Sequence, residues 1–309
     1  MRLEQLQAFL AVVHSGSFQQ AAQQCGVTQS TISRQIQALE DLLGSPLIHR
    51  STPTRLTVAG ECFLPHAQKI CQEWQTATGK VLDLMAGRQP ELCVAVIHSV
   101  CARYLPPVLQ QFSLQYPQVQ LRVTALGSDR ATKVLRDGLV DLAIVMHNRF
   151  MTSSAELVVD KLFSEPIQVL LPVAHPLAAY TQVPWQELTR YPQVVFKDGY
   201  GMQRLVRDQF RRLGTEIKAV LELNTLDAFR SMVKQGECIA LLPQSALEEC
   251  RRDPELTVRS TQDPILTRNV VLVTTADRLR IPPVQHFREL AMTMVGQQHT
   301  QKRDLNLRA

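Results

Sequence analysis

Residues 28–44, TQSTISRQIQALEDLLG, combine polar side chains that can read nucleic-acid bases with aliphatic side chains that can pack in a core. At 3.6 residues per turn, one helix face carries only aliphatic positions, which are Ile32, Ile36, Leu39 and Leu43. A second, polar face is rotated away from the first and carries Gln29, Ser30, Ser33, Arg34 and Gln37. Such a face is either an ordinary solvated surface or a binding surface.

The polar side chains have the chemistry of a DNA-reading surface. The Arg34 guanidinium can donate two hydrogen bonds to guanine O6 and N7, and the amides of Gln29 and Gln37 suit adenine. The short hydroxyl side chains can donate to phosphates without holding the helix away from DNA. The predicted DNA-binding residues of this helix and its N-cap are Thr28, Gln29, Ser30, Thr31, Ser33, Arg34 and Gln37.

The preceding residues predict the elements that would position this helix. A first amphipathic helix, with Leu3, Leu6 and Phe9 at helical spacing, ends at SGS, and a short second helix, FQQAAQQC, ends at Gly26. Helix, short helix, tight turn and helix is the layout of a helix-turn-helix, in which the last helix enters the major groove. The alternative is an ordinary three-helix packing unit.

The next residues, SPLIHRSTPTRLTVAG, predict a basic hairpin. Two short strands flank a turn at STPT, and no acidic residue lies between Gly44 and Gly60. Arg50 and Arg55 could therefore reach the DNA backbone or minor groove from a wing. Net charge does not add to this prediction, because residues 1–87 contain six Lys or Arg and six Asp or Glu.

A long amphipathic helix is predicted from Val58 to about Met85, with Pro65 as a position where it could kink. Its apolar positions include Ile70 and Trp74, which we expect at a dimer seam with an identical helix. Packing of the same stripe on the rest of its own chain is the alternative.

Beyond residue 90 the pattern changes to alternating strands and helices, which predicts α/β lobes with mostly parallel sheets. Two such lobes joined by two crossovers resemble a periplasmic binding protein with a ligand cleft at the hinge. Candidate cleft residues follow predicted strands where helices begin, and they are Ser99, Ser128, Met202, Thr225 and, as a weaker candidate, His147. Hydroxyls and free amides there suit a small anion or carboxylate. Helix capping is the alternative role for Ser128 and Thr225.

Composition and missing motifs limit the other function classes. The 309 residues are 45% hydrophobic and 20% charged, with no run long enough to span a bilayer. The N-terminus lacks the features of a signal peptide, so we expect a cytoplasmic protein. The seven cysteines show no metal-ligand spacing, and no GxSxG, P-loop or HExxH motif occurs. We therefore expect no metal, no cofactor and no catalysis. A small-molecule-binding protein or an enzyme remains the alternative.

The amino-acid sequence resembles those of the LysR-type transcriptional regulators. Phe9 and the runs GSF..AA, TQSTIS.QI..LE..LG..L..R and LT.AG carry the resemblance, which continues more loosely through GLVDLAIV and VAHPLA. Many members have proline where this chain has Ser30, and an aromatic residue where it has His49 before Arg50. These departures leave the individual DNA contacts open. Within the family, FQQAAQQ and TQSTISRQIQALE look most similar to cyanobacterial activators of nitrogen or nitrate assimilation.

The resemblance implies a domain plan and a set of partners. A winged helix-turn-helix would occupy 1–58, a linker and dimerisation helix 59–89, an effector-binding domain 90–300 and a polar tail 301–309. Lobe I would comprise about 90–162 and 267–300, and lobe II about 163–266. The implied partners are double-stranded promoter DNA with an interrupted palindrome, a small anionic effector, RNA polymerase and further copies of the chain in a homodimer or tetramer. No membrane partner is expected.

Overall fold

The computed structural model describes residues 1–49, 54–148, 151 and 155–306, with side chains described as far as residue 297. The chain divides into two compact units, residues 1–84 and residues 85–309. None of the helices in the described ranges combines the length and the apolar character needed to cross a bilayer.

The first unit has the predicted order of helices and strands: α1 (Leu3–Ser15), α2 (Phe18–Cys25), α3 (Gln29–Leu43), β1 (Ile48–His49), β2 (Arg55–Leu56) and α4 (Val58–Met85). The capping residue and the glycines that predicted the helix ends lie at those ends in the structure. The Thr28 hydroxyl accepts a hydrogen bond from the Thr31 amide at 3.3 Å, and Gly26 and Gly44 end their helices at positive φ. Helix α4 continues through Pro65.

One apolar core holds the first unit together. Leu6 and Phe9 of α1 and Ile32, Ile36 and Leu39 of α3 are all buried in it. Ala21 and Ala22 of α2 are buried in the same cluster, where small side chains allow the helices to approach closely. The aliphatic face predicted for residues 28–44 is therefore the core face of α3, apart from Leu43, which is exposed.

The LT.AG run places the start of α4 against the hairpin. The Thr57 hydroxyl donates to the Pro46 carbonyl at 2.6 Å and accepts from the Gly60 amide at 3.0 Å. A Cβ at position 60 would lie 2.0 Å from the Leu47 carbonyl oxygen, so only glycine fits there. These contacts fix the hairpin to α4.

The second unit is built on one ten-stranded sheet. Its main elements in chain order are β3 (Glu91–Val96), α5 (His98–Arg103), α6 (Leu105–Gln115), β4 (Gln120–Ala125), α7 (Ser128–Arg136), β5 (Leu142–Met146), β6 (Leu157–Pro172), β7 (Gln182–Val183), α8 (Trp185–Leu188), β8 (Gln193–Phe196), α9 (Gly201–Arg212), β9 (Ala219–Leu223), α10 (Leu226–Lys234), β10 (Ile239–Pro243), β11 (Leu256–Thr261), β12 (Thr267–Thr275) and α11 (Pro282–Asn306). Short 3₁₀ turns cover 176–179, 244–246, 250–252 and 278–280.

The sheet consists of two lobes that share the long strand β6. Along the sheet the strand order is β4-β3-β5-β12-β6-β10-β8-β9. Parallel pairs join β3 to β4 and β5 in lobe I, and β8 to β9 and β10 in lobe II. Strand β6 pairs with β12 up to Pro166 and with β10 from Ile167 onward. The predicted lobe limits at 162/163 and 266/267 lie near this change of partner.

Helix α11 crosses the predicted end of the effector-binding domain at residue 300. It reaches Asn306, and so extends into the residues predicted as a polar tail.

Candidate nucleic-acid interface and ligand cleft

The polar face of α3 is on the surface of the first unit. Gln29, Ser30, Arg34 and Gln37 are exposed, as is Thr28 at the N-cap, while Thr31 and Ser33 are half-buried. The buried positions Ile32 and Ile36 hold the opposite face in the core. Packing therefore requires the aliphatic face of α3 but leaves the polar face available to a partner.

Hydroxyl groups order the N-terminal end of this face. The Thr28 hydroxyl lies 2.9 Å from both the Ser30 and Thr31 hydroxyl oxygens. The Gln37 side-chain amide donates to Asp41 Oδ1 at 2.8 Å, so it must exchange this bond if it is to contact a base. Within the described part of the chain, Arg34 has no acidic partner, and its guanidinium is free to bind an anion or a base edge.

The hairpin beside α3 has the predicted form. Ile48 pairs with Leu56 and His49 with Arg55 in an antiparallel ladder. Arg55 is exposed. Arg50 and the turn that follows it lie outside the described residues.

Sequence reasoning missed the buried residue that positions this hairpin. Glu40 of α3 is 7% exposed, and its Oε1 accepts hydrogen bonds from the Leu47 amide at 2.7 Å and the Ile48 amide at 3.2 Å. Glu40 lies one turn after Ile36 on the aliphatic face, and this position was the available signal of burial. The carboxylate connects α3 directly to the start of the hairpin.

Helix α4 carries a row of apolar residues with the alternating four- and three-residue spacing of a coiled coil. The row runs through Phe63, Ala67, Ile70, Trp74, Ala77, Val81 and Leu84. Its first part packs in the core: Ala67 is fully buried, and the Phe63 ring lies 5.6 Å from the Phe9 ring. From Ile70 the row is open to solvent, with Trp74 56% and Val81 57% exposed.

In the second unit, three of the five candidate cleft residues meet. Ser99, Ser128 and Met202 line one cavity of about 30 Å³ between the lobes, together with His98 and Tyr200. Thr225 lies instead on an adjoining cavity of about 420 Å³, which shares His98 and Ser99 with the first. His147 lines neither, and its amide donates to the Asn269 carbonyl.

Neither Ser128 nor Thr225 caps its helix with its side chain. Gly127 is the N-cap of α7, and the Ser128 hydroxyl instead accepts from the Met146 amide at 3.2 Å. Thr225 is the N-cap of α10 but makes no side-chain bond to a helix amide. The N-terminus of α9, at Gly201 and Met202, also lacks a side-chain cap. Backbone amides of α7 and α9 therefore remain available at the cavity.

The Ser99 hydroxyl makes a hydrogen bond within the protein. It accepts a hydrogen bond from Arg268 Nη2 at 2.6 Å. Arg268 itself is 4% exposed and forms an ion pair at 2.6 Å with Glu165, which is 1% exposed. These two residues face each other where β6 and β12 cross between the lobes.

Ser245 of lobe II joins Ser99, Arg268 and Glu165, and we call these four residues the hinge network. The Ser245 amide donates to Glu165 Oε2 at 2.6 Å, and its hydroxyl donates to Glu165 Oε1 at 3.0 Å. The network thus joins α5 of lobe I, both crossover strands and lobe II. Residues from four separate parts of the chain form it, and no local pattern pointed to Glu165 or Arg268.

The Arg268 guanidinium lines the cavity with its charge balanced by Glu165. Burial lowers the pKa of His98, so its imidazole is neutral near pH 7. One terminal nitrogen of Arg268, Nη1, makes no hydrogen bond to the described residues, and Arg268 lines the cavity. The site can therefore offer a buried guanidinium, hydroxyls and helix amides, which suit an oxyanion.

Contacts across the cavity mouth hold the two lobes together. The Arg204 guanidinium of α9 binds both carboxylate oxygens of Asp129 on α7, with Nη2 to Oδ1 at 2.6 Å. A Cβ on Gly127 would lie 3.1 Å from the Gly199 carbonyl oxygen, so the backbones of the two lobes approach closely there. The cleft is closed around the small cavity.

Comparisons with known proteins agree with both units. Residues 3–61 match the model of the bacterial regulatory helix-turn-helix protein of the lysR family, and residues 86–295 match the LysR substrate binding domain. A "Probable nitrogen assimilation transcriptional activator" of Synechococcus elongatus is 56% identical over 94% of each chain. A protein of the same name from Synechocystis is 52% identical, over 94% of this chain and 96% of the relative.

A solved structure shows the same fold. The crystal structure of HinK, a LysR family transcriptional regulator from Pseudomonas aeruginosa, superposes with a TM-score of 0.74 at 22% identity. The alignment covers 96% of this chain and 99% of that one. With two family models that together match most of its length, and relatives above 50% identity, the chain belongs to the LysR family of DNA-binding transcriptional regulators.

Proposed function

We propose that this protein activates transcription of nitrogen assimilation genes in response to a small anion. The pathway is inferred from the names of the two cyanobacterial relatives, which align over nearly the whole chain. As a promoter-binding activator it would act in the cytoplasm together with RNA polymerase. The observation that carries the regulatory part of the proposal is the exposed polar face of α3, on which Arg34 has no acidic partner among the described residues.

In this proposal α3 lies in the major groove and reads bases. Arg34 would make the main specific contact, because a guanidinium can bind guanine O6 and N7 at once. Gln29 and Gln37 would contact bases, while Ser30, Thr31 and Ser33 hold phosphates. Thr28 would position the helix end, and Arg50 and Arg55 would contact the backbone or minor groove from the wing.

The same proposal requires two DNA-binding units, supplied by a homodimer or tetramer. The exposed part of the α4 row, from Ile70 through Trp74 to Val81, supports a helix–helix seam because exposed aromatic and aliphatic side chains at heptad spacing are unfavourable in water. A two-fold dimer would place two recognition helices on the halves of an interrupted palindrome.

The effector would bind in the cavity that Ser99, Ser128 and Met202 share. A water molecule needs about 10–15 Å³ of such space, so a cavity of about 30 Å³ suits a ligand of only a few heavy atoms. Arg268, which stays paired with Glu165, supplies guanidinium donors, and the α7 and α9 amides supply further donors. Nitrite and nitrate fit this size and charge, and they fit the pathway named for the relatives. Thr225 and His147 would act outside this cavity.

The effector site is tested by replacing Ser99 with alanine. Loss of the hydroxyl removes an acceptor that orients Arg268, and a hydrogen bond to a charged group is worth about 1.5–3 kcal/mol. We expect at least about a tenfold loss of anion affinity, measured by calorimetry with nitrite and nitrate, while effector-free DNA binding stays at the wild-type level.

The matched control for this experiment is Ser113→Ala, since Ser113 is an exposed serine of α6 in the same lobe. Its anion affinity should equal that of the wild type. If no small anion binds the wild-type protein, or if Ser99→Ala abolishes DNA binding itself, the cleft is not the effector site as proposed.

A further inference from the structure

A second concave surface of the second unit gathers positive charge without acidic partners. It is a cavity of about 330 Å³ in lobe II, and Arg251 and Arg259 both line it together with Gln168 and Ser260. None of these residues belongs to the cleft between the lobes, whose lining is formed by other side chains.

Both guanidiniums bind only neutral acceptors within the described part of the chain. Arg251 Nη2 donates to Gln168 Oε1 at 2.6 Å. Arg259 donates to the Ala178 carbonyl at 3.2 Å, to the Thr257 hydroxyl at 2.6 Å and to the Val258 carbonyl at 3.1 Å. These bonds hold the two side chains in place, and among the described residues no carboxylate forms an ion pair with either; Glu248 acts on Arg251 only at longer range.

A second arginine-lined cavity of lobe II shows a contrasting arrangement. A cavity of about 260 Å³ near the end of α9 is also lined by two arginines, Arg207 and Arg211. There each arginine has an acid: Arg207 pairs with Glu222 at 3.3 Å and Arg211 with Asp208 at 3.7 Å. The two arginines of the α9 cavity thus form ion pairs, whereas those of the Arg251–Arg259 cavity form none with the described residues.

The surroundings of Arg251 and Arg259 favour an anion. Partial desolvation lowers the pKa of Arg251, against the raising effect of Glu248, although the residue remains exposed. The hydroxyls of Tyr180, Thr181 and Ser260 line the same cavity and can donate to an oxyanion. Two guanidiniums in a fixed arrangement match two negative charges better than one.

We propose that this cavity is a binding site for a small dianion, separate from the effector cleft. Its ligand would be a phosphate or a short dicarboxylate held between Arg251 and Arg259. The cavity volume of about 330 Å³ accommodates a free metabolite of this size. A second anion site would let the protein respond to two metabolites at once.

The test is calorimetry on the full-length protein with two probes, inorganic phosphate and succinate, each titrated into wild type and variants. Arg251→Gln removes the charge of an exposed side chain that, among the described residues, bonds only to Gln168, so the fold should be retained. We expect at least one probe to bind saturably, and Arg251→Gln and Arg259→Gln each to weaken it about tenfold or more. The probe that binds identifies the ligand class.

Arg252→Gln is the matched control, because Arg252 is the next residue, is exposed and does not line the cavity. It removes the same charge and should leave the affinity unchanged. The proposal is overturned if neither probe binds the wild type, if both cavity variants bind as tightly as the wild type, or if Arg252→Gln weakens binding as much as they do.

Discussion

Replacing Trp74 with glutamate is expected to make the protein monomeric and to lower its affinity for a two-half-site operator by about 100-fold or more. Trp74 lies in the exposed part of the α4 row, so the change places a charge at the proposed helix–helix seam. A monomer binds each half-site separately and loses the effective-concentration advantage of linked binding, which is about 10²–10⁴. Ile70→Glu should have the same effect.

The side chain of Trp74 is 56% exposed, so the first unit itself does not need it in order to fold. Gln72→Glu adds the same charge on the opposite side of α4 and should leave the dimer intact. Sedimentation velocity gives the oligomeric state and gel shift the affinity. A Trp74→Glu protein that stays dimeric with wild-type affinity would place the dimer seam elsewhere.

Replacing Glu165 with alanine is expected to destabilise the second unit by about 3–5 kcal/mol. The change leaves the buried guanidinium of Arg268 without a counter-charge, and breaking a buried pair from one side costs this much. Two hydrogen bonds from Ser245 are lost with it. Urea unfolding followed by the fluorescence of Trp185, which is buried in lobe II, measures the effect in a Trp74→Phe background.

Asp129→Ala is the comparison for this measurement. It removes the carboxylate of an ion pair whose side chains are 47% and 36% exposed, and such pairs contribute at most about 1 kcal/mol. Replacing Glu165 and Arg268 together with methionine should recover much of the stability, since no charge is then buried alone. Similar losses for Glu165→Ala and Asp129→Ala would show that the hinge pair is not a structural requirement.

Much of the first unit could be predicted because its signals are local. Thr28 and Gly44 mark the ends of α3 within its own sequence, and the alternation of Ile32 and Ile36 with polar residues identifies both faces. The order of strands and helices in the second unit could also be followed along the chain. Ser99, Ser128 and Met202 meet as predicted for residues that follow strands in such sheets.

The missed residues act over long sequence distances. Glu165 and Arg268 are 103 positions apart and meet only when β6 and β12 pair. Each looks like an ordinary surface charge in its own segment, SEPIQ or LTRNV. Their burial depends on the lobe crossover, so neither helical nor strand periodicity reveals it. Glu40 is a different case, because its bonds to the Leu47 and Ile48 amides are local and its place one turn after Ile36 could have indicated burial.

The claim that α3 reads bases is tested most directly by gel shift of Arg34→Ala on the cognate operator and on random DNA, with Arg55→Ala beside it. Arg34→Ala should lose about 1–3 kcal/mol of binding free energy on the operator and clearly less on random DNA. Arg55→Ala should weaken binding to the operator and to random DNA about equally. It should also lower the slope of log K against log salt concentration by about one, as loss of a contact to the DNA backbone does. Equal losses on both DNAs for Arg34→Ala would mean that Arg34 contacts only phosphate, and would contradict base reading by this helix.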